Sequence, residues 1–134
     1  MIDEVAAEHG RAFRRCIDAE AAEIAQRARA AFVIGNPRVW WLALNGPWTR
    51  QSSVGVPIDA VLPSSCATAW FIVEDATPIL PVYELSPSEV ELIRCAGPAL
   101  EFNYVEKQLR WMVSMSARPD SKTEVRSGWR LMSQ

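Results

Sequence analysis

The sequence predicts an α+β fold: an antiparallel sheet of about five strands, with a long N-terminal helix and a short capped helix between two hairpins. Three observations predict it. An Ala-rich segment with helical spacing opens the chain, alternating apolar runs fill positions 70–115, and Ser86-Pro87-Ser88-Glu89 stands between two pairs of those runs. With 134 residues the chain falls within the size of one domain, residues 1–134, able to bury about two-thirds of its unfolded surface.

From Asp3 to about Phe32 the chain reads as helix. Ala occurs ten times between positions 6 and 31, and Phe13, Ile17, Ala21, Ile24, Ala28 and Ala31 follow a three-four spacing that makes one apolar stripe. Arg14, Asp18, Arg27 and Arg29 belong to the charged face. Gly10 is the weak point, costing about 1 kcal/mol relative to Ala inside a helix, and is the place where a short first helix would separate from the main one. Gly35-Asn36-Pro37 ends the segment.

Val39-Trp40-Trp41-Leu42-Ala43-Leu44 is apolar on both faces and reads as an interior strand, in which the two adjacent Trp face opposite ways. Residues 46–66 carry the weakest pattern. Trp48 to Ser53 reads as a polar loop around one aromatic, and Ile58 to Leu62 as a helical turn. A loop of this length is uncommon without a task, so a short hidden element is expected here.

Trp70 to Glu74 and Ile79 to Leu85 form the first hairpin across Asp75-Ala76-Thr77-Pro78, with Pro81 confining its strand to an edge or a bulge. Ser86 and Glu89 make a capping box, with Pro87 at the first helical position, where a missing N–H costs nothing. Val90 and Ile93 share the inner face of that helix, and Gly97-Pro98 ends it. Leu100 to Tyr104 and Leu109 to Met115 form the second hairpin, with Leu100, Phe102 and Tyr104 on one face and Leu109, Trp111, Val113 and Met115 on one side of the partner strand. After Met115 the chain is polar and basic, and alternation between Thr123 and Met132 favours one last strand.

Composition excludes several classes. Apolar residues are 49% and charged residues 22% of the chain, which argues against disorder, and no apolar run approaches the roughly 20 residues of a membrane span. Met1-Ile2-Asp3-Glu4 is acidic where a secretion signal is basic. Cys16, Cys66 and Cys95 have no C-x-x-C spacing, so neither a zinc site nor a disulfide framework is expected, and buried thiols in the cytoplasm are. No cofactor motif of the P-loop or G-x-G-x-x-G kind is present.

Catalytic signals are thin. His9, the single histidine, has no neighbouring nucleophile, although Cys66, Ser64 or Ser65 could meet it across the fold. Glu74 with Asp75, or Glu84 with Glu101, are candidate acid–base pairs. Trp70 and Trp111 fit the core, whereas Trp48 beside Arg50 has the composition of a binding hot spot.

Charge is the most specific signal. The net charge is −2, yet residues 74–106 hold seven acids against Arg94 alone, and residues 107–134 hold six bases against two acids. Glu74, Asp75, Glu84, Glu89, Glu91, Glu101 and Glu106 are therefore candidates for an acidic face that steers a basic partner. Direct nucleic-acid binding is disfavoured by the same acidity.

The runs Trp70-Phe71-Ile72-Val73-Glu74-Asp75, Leu80-Pro81-Val82-Tyr83-Glu84-Leu85 and Glu101-Phe102-Asn103-Tyr104-Val105-Glu106-Lys107, followed by Leu109-Arg110-Trp111, resemble small bacterial immunity proteins of contact-dependent growth inhibition and related polymorphic toxin systems. The likeness covers the second half of the chain. It implies a non-enzymatic cytoplasmic protein that occludes one cognate toxin domain, often a nuclease. The alternatives from other classes are a small hydrolase or transferase with a carboxylate or Cys66 centre, and an adaptor that binds several proteins through the Trp48 loop.

Overall fold

The computed structural model describes residues 2–35, 37, 40, 43, 48–52, 58–74, 78–96, 101–116 and 124–129, without the side chains of 48–52, 96, 115, 116 and 124–129. The elements are α1 (Ile2–Glu8), β1 (Arg14–Arg15), α2 (Asp18–Phe32), β2 (Trp48–Ser52), a 3-10 turn (Ile58–Ala60), β3 (Ala69–Glu74), β4 (Val82–Leu85), α3 (Pro87–Ala96), β5 (Glu101–Val105), β6 (Trp111–Ser116) and β7 (Glu124–Trp129). Class α+β therefore holds. The strands make one seven-stranded sheet in the order β1-β4-β3-β5-β6-β7-β2, and every pairing is antiparallel.

The N-terminal helix is divided, and Gly10 is the reason. Its φ of 65° is left-handed, a conformation that glycine adopts without a Cβ penalty. The Arg11 N–H bonds the Ala6 carbonyl at 2.8 Å and the Gly10 N–H bonds that of Ala7 at 3.2 Å, the paired bonds of a Schellman end. The chain then runs extended through β1 before α2 starts. Ile17, expected in the buried stripe, stands at the N-cap of α2 and is 74% exposed. Ala21, Ile24 and Ala28 are buried as expected.

Both faces of the sheet are covered. Alternate residues of β3 explain this, because they feed two clusters. Phe71 and Val73 join Phe102, Tyr104, Trp111 and Val113 beneath α1, α3 and the 3-10 turn. Ile72 joins Val82, Val105 and Met112 beneath Ala21, Ile24, Ala28 and Phe32 of α2. Phe71 and Phe102 lie with ring centroids 4.5 Å apart, within the range of favourable aromatic pairs.

The second hairpin forms with register Phe102 to Met115 and Tyr104 to Val113, but β6 begins at Trp111. Leu109 has φ 61°, closes the turn through its N–H to the Glu106 carbonyl at 2.8 Å, and packs against the α2 cluster, on the opposite side from Trp111. In the first hairpin β4 begins after Pro81. The carbonyl of Pro81 accepts the Val73 N–H at 2.9 Å, so this proline serves the ladder as acceptor and its missing donor is not needed.

Two sequence expectations need correction. Trp48 to Ser52 is a strand, paired with β7 from Trp48 opposite Gly128 to Ser52 opposite Glu124, and with the 3-10 turn it is the hidden structure of residues 46–66. Its weak alternation fits a strand at the sheet edge, held by one neighbour among the described residues. Trp40 lies in a 3-10 turn and Ala43 in a bend, not in a strand; Val39, Trp41, Leu42 and Leu44 lie outside the described residues.

Candidate functional site

On the α2 side of the sheet, β3 ends in Glu74. The register sets Ile72 opposite Asn103 and Glu74 opposite Glu101, so Glu74 and Asn103 share this face diagonally, and Ser114 of β6 stands opposite Asn103. Asn103 is fully buried and Ser114 nearly so. The Ser114 hydroxyl donates to Asn103 Oδ1. Glu74 Oε1 accepts the backbone N–H of Trp40, 34 residues away in sequence, at 2.6 Å. Among the described residues, two buried side-chain atoms here have no hydrogen-bond partner: Glu74 Oε2 and Asn103 Nδ2.

Burial pushes the Glu74 carboxyl above its ordinary range, against the Trp40 N–H and the Asn103 amide, which draw it down. The Asn103 amide is thus close enough to act on the carboxylate while standing outside hydrogen-bond geometry. Glu101 adds a smaller upward push and Arg29 of α2 a downward one. A carboxylate that burial shifts in this way is a candidate functional group.

Beside this cluster lies a cavity of about 210 Å³ with Ala25, Gln26, Arg29, Trp40, Ile79 and Leu80 among its lining. It runs between α2 and the segment leading into β4. Trp40 is 3% exposed, whereas Ile79 is 39% exposed. Because Glu74 holds the Trp40 backbone, the buried cluster fixes one wall of this groove.

The other acids of the expected face are placed differently. Glu84 of β4 takes an ion pair from Arg14 at 3.3 Å and another from Lys107, with the Thr68 hydroxyl at 3.3 Å. The Lys107 bond is the main cause that lowers its pKa, and Lys107 also sits 4.9 Å from the Trp70 ring centre. Glu89 closes the capping box, accepting the Ser86 N–H at 2.9 Å and donating its own N–H to Ser86 Oγ at 3.3 Å. Glu91 accepts the Ile58 N–H at 2.7 Å and the Arg94 guanidinium at 2.8 Å, tying the 3-10 turn to α3. Glu106 is 5% exposed and accepts the Arg110 Nε at 2.7 Å and the Arg110 backbone N–H at 3.0 Å.

The structure thus brings together Glu74 and Glu101 at one end of the sheet and leaves Glu84 at the other. Trp70 pairs with Glu84 and Glu74 with Glu101, a spacing of four residues, or about 13 Å along β3, too far for the acid–base pair considered from sequence. Asp75 lies outside the described residues. Trp48 and Arg50 lie in β2, with side chains outside them, and the register sets Arg50 opposite Arg126 and Arg126 opposite Ser114.

Neither Cys66, the thiol considered as a nucleophile, nor the other two cysteines has the poise for it. Burial pushes the Cys16 thiol up to about 11, and Cys66 and Cys95 are also raised, burial first among the causes. Cys95 is exposed and Cys66 half-buried, not buried as composition suggested. The His9 ring bonds the Val5 carbonyl at 3.0 Å on its own helix, and Ser64 accepts the Trp111 indole N–H at 2.9 Å. Among the described residues no group of His, Cys, Asp and Glu could hold a metal ion, and no helix is long and apolar enough to cross a membrane.

Glu74 stands out in the sequence as a candidate, whereas Asn103, Ser114, Trp40 and Arg29 do not. The available signal was the run Trp70-Phe71-Ile72-Val73, apolar on both faces, which requires cover on both and so buries the Asn103 side of β5 as well. No protein-family model, no curated protein and no solved structure matches this chain.

Proposed function

We propose that this chain is a cytoplasmic, non-enzymatic inhibitor of the immunity-protein kind its strand motifs resemble, which neutralises a cognate bacterial toxin domain by one-to-one occlusion. The observation that carries the reading is the groove between α2 and Pro78–Leu80. It has an apolar wall in Trp40, Ile79 and Leu80, and the Glu74 and Glu101 carboxylates lie at the same end of the sheet. An apolar anchor point edged by charge is the anatomy of a protein interface. Among the described residues, the charged one lining the groove is Arg29, so the preference for a basic partner such as a nuclease domain, whose groove attracts phosphate, rests on Glu101 at the adjoining strand end. Glu84, Glu89, Glu91 and Glu106, like Glu74, have internal partners that tie them to the fold.

The test is coexpression with the toxin domain encoded beside the gene. Growth is rescued by the wild type and by Glu8→Arg, an exposed change on α1, across the sheet from the groove. Ile79→Asp loses rescue while remaining folded by circular dichroism. Rescue unaffected by Ile79→Asp places the interface elsewhere, and no rescue by the wild type overturns the reading.

A second reading, a carboxylate-centred hydrolase or transferase, is favoured by one observation, the upward shift of Glu74 beside a cavity. It requires a turnover that Glu74→Gln abolishes. The thiol-centred version loses support from the raised thiols.

A further inference from the structure

The two unpartnered buried atoms, Glu74 Oε2 and Asn103 Nδ2, lie on one face of adjacent strands, and each has a polar neighbour of the kind it lacks. An asparagine amide presents a donor and an acceptor that exchange places by a half-turn of the side chain. With Glu74 ionised, Nδ2 turns to Oε2 while Oδ1 keeps the Ser114 hydroxyl proton, the direction seen here. With Glu74 protonated, the acid has a proton to give and needs an acceptor. The half-turn supplies Oδ1 to it and leaves Nδ2 to donate to Ser114 Oγ. Both arrangements give Glu74 Oε2, Asn103 Oδ1, Asn103 Nδ2 and Ser114 Oγ a partner, the second releasing the Ser114 hydroxyl proton from Oδ1, and they differ by one proton taken from water onto Oε2.

We propose that Glu74, Asn103 and Ser114 form a proton-operated latch on Trp40, in which protonation of Oε2 turns the Asn103 amide and weakens the hold of Oε1 on the Trp40 N–H. The ionised carboxylate accepts that N–H as a charge-assisted bond, roughly twice as strong as one to a neutral acid. Trp40 walls the groove, so the proton sets how firmly that wall is held. Among the described residues, the charged groups that act on Glu74 are Arg29 from α2, which favours the anion, and Glu101 from β5, which opposes it. On β7 the register aligns Arg126 with Ser114. The latch stands apart from the partner reading and holds or fails without it.

The experiment is an NMR pH titration of the intact chain. The Glu74 side-chain carboxyl carbon is expected to titrate with a midpoint above the ordinary glutamate value of about 4.3. The Trp40 amide proton moves upfield on acidification, the Asn103 side-chain NH2 signals shift, and all three share one midpoint. In Glu74→Gln, which keeps the shape and removes the charge, the Trp40 and Asn103 signals are flat over the same range. An ordinary or lower midpoint for Glu74 overturns the proposal. So do Trp40 or Asn103 signals that ignore the Glu74 titration, or that still titrate in Glu74→Gln. The wild-type titration alone decides the matter should the variant fail to fold.

Discussion

Tyr104 of β5 donates its phenolic proton to the backbone carbonyl of Leu85 at 2.7 Å, reaching across β3 to the end of β4. Strand β3 separates the two in the sheet, and the residue opposite Leu85 is Ala69, whose small side chain leaves the path open. The bond fixes β4 where it hands over to α3. Tyr104→Phe is expected to lower stability by about 1 kcal/mol, the net value of one hydrogen bond, with an added penalty for the stranded carbonyl. Tyr104→Ala also opens a cavity, and large aromatic truncations cost about 3–5 kcal/mol. Urea unfolding of the two variants separates these contributions. A Tyr104→Phe protein as stable as the wild type would mean that the Leu85 carbonyl finds another donor.

The capping box sets the next expectation. Ser86 Oγ accepts the Glu89 N–H and Glu89 Oε1 accepts the Ser86 N–H, satisfying two donors that the first turn of α3 would otherwise leave open. Ser86→Ala should cost about 1 kcal/mol. Glu89→Ala should also lower stability, and it should alter partner binding only as far as it loosens α3. Thermal melts of both variants check the first point. Rescue of growth by Glu89→Ala at a temperature where it is fully folded checks the second.

Thiol chemistry gives a third. The active species is the thiolate, and burial pushes Cys16 up to about 11, leaving little thiolate at neutral pH. Cys95 is exposed, Cys66 intermediate and Cys16 buried, and Cys66 also contacts the Tyr104 hydroxyl at 3.9 Å. Labelling by a neutral disulfide reagent at pH 7 should follow the order Cys95, Cys66, Cys16, with none faster than a free cysteine. Rapid reaction at Cys66 would instead revive the nucleophile reading.

Local signals in this chain were legible where a short-range rule decides the structure. Ser86-Pro87-Ser88-Glu89 fixes a helix start within four residues, and the alternation of Phe102 and Tyr104 fixes a strand and its inner face. Gly10 was legible as a weak point, and its left-handed φ turned that weakness into a helix end. The edge strand β2 was not legible because Trp48-Thr49-Arg50-Gln51-Ser52 has no buried alternation to read, and its strand state comes from pairing with β7, more than seventy residues away. The site was legible only in part for the same reason. Glu74 is visible as an acid at a strand end, but its burial depends on α2, Trp40 and Asn103, which meet it only in the folded chain.

The two carboxylates at opposite ends of the sheet should respond to pH in opposite senses. Glu84 is held by Lys107 and Arg14, and its pKa is lowered. The folded state therefore binds the Glu84 proton less readily than the unfolded chain, and the stability it adds is present above the unfolded value and lost as pH falls through the folded one. Glu74 is raised, so the folded chain keeps its proton where the unfolded chain has lost it. Its contribution works against folding above the raised value, and that penalty is relieved as pH falls through it. Glu74→Gln should accordingly raise the melting temperature at neutral pH and narrow its advantage toward acid. Glu84→Gln should lower the melting temperature at neutral pH by a small amount, since Arg14 and Lys107 are partly exposed and water screens the pairs, and should lose that deficit toward acid. Melting curves from neutral pH down to the ordinary glutamate range compare the two. A Glu74→Gln protein less stable than the wild type at neutral pH would mean that the charge on Glu74 stabilises the cluster more than its burial opposes it.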